Sequence, residues 1–190
     1  MSGLLALFLA TVASGEAPAV RKMLDVFARL HQLDAQKTTG KPEPYKFELT
    51  ESEVNDYLEY ALKKKPRPGI ERIEVKFFDE NYISTSTTVD FDQVEKWNPG
   101  IVPETLRKVL KGKQTVDADF RLIPNGRGLA LVIVEKAAFN NVRIPAVVVQ
   151  KIMEVLGSRQ PEKYDFSKPM TLPFGLQKVM VDRGRAHGEA

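Results

Sequence analysis

The sequence predicts an α+β fold organised around a long antiparallel sheet. Between Gly69 and Val142, four long runs either alternate apolar and polar residues or are apolar throughout, with turn signals between them. On both sides lie segments whose Leu, Val, Ile and Tyr residues recur at helical spacing. These two-faced strands and amphipathic helices carry few reactive side chains, which suits a protein that holds a ligand better than one that transforms it.

The elements follow in order. Val20, Met23, Leu24, Phe27 and Leu30, with Arg21, Lys22, Asp25 and Arg29 between them, predict an amphipathic helix over residues 19–36. It either docks on its own domain or offers a face to a membrane or partner. Thr38-Thr39-Gly40-Lys41-Pro42 ends it, and a short strand follows over residues 45–49. Thr50 and Glu53 then form a capping-box pair, and Val54, Tyr57, Leu58, Ala61 and Leu62 share one face of a helix over residues 51–63. The run from Lys63 to Gly69 closes this helix, its cations either capping the helix dipole or attracting anionic headgroups.

From Ile70 the period becomes two. Ile73, Val75 and Phe77 alternate with charged residues, Asp79-Glu80-Asn81 turns the chain, and residues 82–91 carry Ile83, Thr85, Thr87, Val89 and Phe91 on one face. Short helices are expected over residues 92–97 and 103–110. A third strand over residues 114–123 points Val116, Ala118, Phe120 and Leu122 inward, and Pro124-Asn125-Gly126 makes a hairpin into a fourth over residues 128–139. Leu129 to Val134 shows no alternation, so this strand is expected at the centre of the sheet with both faces covered. Ile144-Pro145 opens an apolar helix with Val148, Val149, Ile152, Met153 and Leu156, stopped at Gly157. Short strands are expected near residues 170–172 and 176–182, with residues 186–190 frayed.

The chain has 190 residues, of which 43% are hydrophobic and 28% charged, the balance of one ordinary globular domain. A net charge of +3 is too small to imply nucleic acid. Without cysteine there is no disulfide, thiolate chemistry or lipobox anchor, and His31 and His187 are the sole imidazoles. No cofactor or metal is expected. Leu4 to Val12 followed by Ala13, Ser14, Gly15 and Ala17 has the order of a secretory signal peptide over residues 1–17, although no basic residue precedes Arg21; a buried N-terminal helix is the other reading. The domain organisation expected is this leader, a helix over 18–38 and one α+β domain over 39–190.

Chemical motifs are sparse. Asp90 with Asp92, and Asp117 with Asp119, could each present paired carboxylates for metal or acid-base work, which leaves a metal-assisted hydrolase as a minor reading. Gly126-Arg127-Gly128 opens a strand and not a helix, so it does not read as a phosphate loop.

One ordered set of motifs is more specific. Leu49-Thr50-Glu51-Ser52-Glu53-Val54-Asn55-Asp56-Tyr57-Leu58, then Val89-Asp90-Phe91-Asp92, then Ile144-Pro145, then Leu172-Pro173-Phe174-Gly175 resembles the LmeA-like and YceB-like exported relatives of the tubular lipid-binding (TULIP) superfamily, over most of residues 45–185. The resemblance implies a long curved antiparallel sheet wrapped around one or two helices, with a hydrophobic cleft for phospholipid or other acyl ligands, in a periplasmic or envelope-associated protein. It supplies no catalytic residues.

The function expected is therefore non-catalytic binding of an acyl ligand, with possible contact to a membrane surface. The apolar residues expected to line the cleft are Leu58, Leu62, Ile73, Val75, Phe77, Val89, Phe91, Leu131, Ile133, Val148, Ile152 and Met153. The alternative is an envelope structural or partner-binding module with a closed core.

Overall fold

The antiparallel meander expected between Gly69 and Val142 forms the body of the protein. A computed structural model describes residues 16–36, 43–100, 102, 104, 107–108, 110–126, 128–145, 147–149 and 168–190. The leader up to residue 15, half of the expected helix over 103–110, and the expected apolar helix beyond Val149, with Ile152 and Met153, lie outside the described residues.

Helix α1 spans Pro18–Gln36 and strand β1 Lys46–Thr50. Helix α2, Glu51–Lys64, starts at the expected capping box: the Thr50 hydroxyl accepts from the Glu53 N–H at 3.2 Å, and the Glu53 carboxylate accepts from the Thr50 N–H at 2.8 Å. Strands β2 (Ile70–Phe78) and β3 (Tyr82–Asp90) form a hairpin closed by Asp79, Glu80 and Asn81, with Glu80 and Asn81 in the left-handed region at φ 60° and 58°. Helix α3 is Phe91–Trp97. Strands β4 (Lys113–Gly126) and β5 (Leu129–Phe139) form the longest hairpin, and β6 (Val142–Arg143) and β7 (Met170–Thr171) are two-residue strands. A 3-10 turn, Pro173–Gly175, precedes β8 (Lys178–Asp182) and β9 (Arg185–Glu189).

The large sheet has the order β2-β3-β4-β5-β6, with β7 also pairing to β5. Strand β5 is thus not the centre expected from its apolar run, since β6 and β7 pair with it only near its two ends. Nor are both its faces covered: Ile133 is 39% exposed. The small sheet has the order β1-β9-β8, so the C-terminal residues expected to fray form its middle strand. Ala190 even exchanges two backbone hydrogen bonds with Tyr45, at 2.9 and 3.0 Å. Pairing on both sides outweighs the weak strand propensity of the Arg-Ala-His-Gly-Glu sequence. At Gly188 the Phe47 ring occupies the space a side chain would need.

The small sheet docks on the turn end of the β2–β3 hairpin. Asn81 accepts from the Val181 N–H through its side chain at 2.7 Å, donates its own N–H to the Val181 carbonyl at 3.0 Å, and accepts from the Leu122 N–H at 3.0 Å. One turn residue therefore joins β4 and β8. The buried core gathers at this end: Val20, Met23, Leu24, Val26 and Leu30 of α1 pack with Leu49, Tyr57, Ala61, Ala130, Leu172 and Leu176. Helix α1 is part of this core, as its spacing of apolar residues requires.

Candidate ligand-binding face

Cross-strand register determines which apolar residues share a face. Ile73, Thr87, Val116 and Phe139 form one row across β2 to β5. Val75, Thr85, Ala118 and Ala137 form the next, and Phe77, Ile83, Phe120 and Val134 the third. Val89 extends the face beyond the first row and Leu122 with Val132 beyond the third. Directly opposed residues lie on one side of a sheet and about 5 Å apart, so each row is a continuous strip. Phe77 is buried and Ile73, Val75, Val89, Val116 and Phe120 are half-buried.

Leu131 and Ile133 are not on this face. Leu131 pairs with Ile123 and Ile133 with Arg121, on the other side of the sheet, whereas Val132 and Val134 pair with Leu122 and Phe120. The physical cause is a bulge: Asp119 pairs with Lys136 but Phe120 with Val134, leaving Glu135 as an extra residue. The bulge reverses the alternation, so the inward residues of β5 are Ala130, Val132 and Val134 before it and Ala137 and Phe139 after it. No period of two survives in the sequence, and the pairing across the hairpin is what reveals the face.

Helix α2 lies along the outer edge of this face. The Glu51 carboxylate accepts from the Phe77 N–H at 2.8 Å, and Asn55 exchanges two hydrogen bonds with Val75. Four helical residues advance about 6 Å and two strand residues about 7 Å, so this antiparallel match holds over successive turns. Leu58 and Leu62 continue the same helical stripe and are half-buried, while Tyr57 and Ala61, one position earlier, are buried in the core. Burial pushes the Tyr57 phenol far up, so it stays neutral. Phe91 leaves the strand expected for it, because the Asp90 carboxylate caps α3 by accepting from the Asp92 and Gln93 N–H groups at 3.1 and 3.2 Å. Its ring nevertheless stands edge-on to Phe139, with centroids 6.0 Å apart, at the α3 end of the face. Val148 is half-buried, and its N–H donates to the Pro145 carbonyl at 2.9 Å.

The carboxylate pairs serve separate local contacts. Hydrogen bonds from the backbone and side chain of Gln93 hold Asp90 below the usual carboxylate range. Asp117 accepts from the Ser86 hydroxyl at 2.7 Å, and Asp119 lies 3.8 Å from Lys136, both on the face opposite Val75. The hydrogen bond from Tyr82 to Asp119 pushes the Tyr82 phenol up to about 12. Among the described residues no three His, Asp or Glu side chains are grouped to hold a metal.

No family model, curated protein or solved structure matches the chain.

An open concavity of about 370 Å³ lies on the small sheet, between Lys46, Glu48, Lys178, Met180, His187 and Glu189. Its charges are arranged in pairs: His187 Nδ1 lies 3.5 Å from Glu48, its Nε2 3.4 Å from Asp182, and Lys46 3.6 Å from Glu189. His31 sits elsewhere, against the Phe174 ring at 4.6 Å. The two imidazoles are therefore in unrelated surroundings.

Proposed function

We propose that the apolar face of the large sheet, bordered by α2, binds an acyl chain of a phospholipid or similar ligand, in a TULIP-like arrangement of sheet around helix, and that the protein handles lipid in the cell envelope. The observation that supports this best is the set of three rows across β2 to β5, apolar except for Thr87 in the first and Thr85 in the second. Its half-buried residues Ile73, Val75, Val89 and Val116 stand outside the closed core built by α1, α2 and the small sheet. From Ile83 to Val89 the face runs about 20 Å along β3, and four strands make it about 14 Å wide. One leaflet of a bilayer's hydrocarbon core is about 15 Å thick, so an acyl chain fits that length. Each methylene moved out of water contributes about 0.8 kcal/mol, so eight contribute about 6 kcal/mol, enough for binding without a charged anchor.

Native mass spectrometry of protein incubated with a lipid extract tests this. Lipid adducts are expected, and Ala118→Phe, which adds a ring in the middle row, should weaken them at least tenfold while leaving the circular dichroism spectrum unchanged. Absence of adducts at every lipid ratio would favour a closed-core structural module.

A further inference from the structure

The geometry points to a membrane-docking patch at the C-terminal end of α2, specific for an anionic phospholipid surface. Lys63, Lys64 and Lys65 end that helix in exposed positions, and the Arg67 guanidinium lies over the Trp97 ring at 5.8 Å from its centroid, which brings α3 and its Lys96 to the same place. Trp97 is 49% exposed. A wet indole among cations matches the headgroup layer, where an amphipathic ring inserts and basic residues meet anionic phosphate.

Charge bookkeeping favours the same partner. Lys63 is paired with Glu59 at 2.5 Å, and Glu95 is engaged by Arg107 at 2.9 Å and by the N–H groups of Gly100 and Val102. Asp92, in the first turn of α3, is the other nearby acid on that helix. Among the described residues no carboxylate lies within ion-pair distance of Lys64, Lys65, Arg67 or Lys96, and the Lys64 ammonium is over the Tyr60 ring at 5.6 Å. A cluster of uncompensated cations beside one exposed aromatic side chain is complementary to an anionic bilayer. No helix among the described residues is long and apolar enough to cross one, so contact through this patch is a surface contact. The inference deepens the acyl-binding reading, since Leu62 and Phe91, expected to line the cleft, belong to α2 and α3, the helices that carry the patch.

Trp97 is the chain's one tryptophan, so emission excited at the red edge, where tyrosine does not absorb, reports on the patch alone. With vesicles containing phosphatidylglycerol, the protein should sediment and its emission should shift to the blue, with both effects reversed by high salt. Pure phosphatidylcholine vesicles should give neither. Lys64→Gln and Lys65→Gln should each lower vesicle partition about fivefold. Sedimentation with unchanged Trp97 emission, equal binding to neutral vesicles, or no binding to any vesicle overturns the proposal. A Trp97 shift with single-stranded oligonucleotide in place of vesicles also overturns it. A fluorescent fatty acid added without vesicles reads the apolar face separately and should bind both lysine variants like the parent, so failure of one reading leaves the other visible.

Discussion

Asn55 of α2 grips Val75 of β2 with two hydrogen bonds, its Nδ2 donating to the Val75 carbonyl and its Oδ1 accepting from the Val75 N–H, both at 2.8 Å. Strand β2 is an edge strand, and its outward N–H and C=O groups would otherwise be free to template another chain. Glu51 takes the Phe77 N–H and the Gly184 N–H takes the Phe77 carbonyl, so the helix and the small sheet together close this stretch of edge. The same contacts fix α2 beside the apolar face.

Replacing Asn55 by Leu keeps the volume but strands both Val75 groups. A loss of about 2 kcal/mol is expected in urea unfolding. Asn55→Asp sets a carboxylate oxygen against the Val75 carbonyl at neutral pH and should recover part of the loss once acid protonates it. A change below about 0.5 kcal/mol for the Leu variant would show that the edge is closed by other means.

Acid should loosen the junction of α1 with α2. Burial on its own raises the Glu53 carboxyl, but the Lys22 ammonium at 2.7 Å and the Thr50 hydrogen bonds outweigh it and hold the group below its ordinary value. A carboxyl depressed in the folded state contributes stability that is complete above its unfolded pKa, near 4.5, and is lost as pH falls through the folded value. Glu53→Gln retains a capping acceptor and loses the charge. Its urea midpoint should vary less than the parent's below that pH, and an identical acid profile for the two would refute the assignment.

The bulge makes a sharp contrast between neighbours in β5. Val132→Asp places a charge on the apolar face beside Leu122 and should cost about 2 kcal/mol, whereas Ile133→Asp, on the exposed side beside Arg121, should stay within about 0.5 kcal/mol. Thermal unfolding of the two variants distinguishes this register from one shifted by a residue, which would reverse the order.

Gly69 joins the end of the α2 segment to β2 with φ +82°, and a Cβ there would lie 2.5 Å from both the Asp90 carbonyl oxygen and Val94 Cγ2. The strained backbone and the clash with a backbone atom should make Gly69→Ala cost more than about 2 kcal/mol. A neutral result by calorimetry would mean that α3 sits farther from this turn.

Local physics made much of the architecture legible. The Thr50 and Glu53 capping box, the turn at Asp79-Glu80-Asn81, and the alternation of Ile73, Val75 and Phe77 depend on residues a few positions apart, and each element formed as read. The inward set Val116, Ala118, Phe120 and Leu122 was legible for the same reason. Leu131 and Ile133 were misplaced because an all-apolar run gives no phase, and the bulge that sets it is a property of two strands. The C-terminal strand was not legible because Ala186 and Gly188 are weak strand formers, and β1, one of the two strands that pair with them, is more than a hundred residues away.

The sequence by itself determined the class of fold, the boundaries of α1 and α2 and the existence of a long two-faced sheet, since periodicity and capping are encoded by neighbours along the chain. Tertiary structure alone decided three things: which side of β5 joins the apolar face, that α2 closes the β2 edge through Asn55 and Glu51, and that Arg67 meets Trp97. Each depends on register or contact between segments far apart in the chain, where a single inserted residue turns a side chain from one face of the sheet to the other.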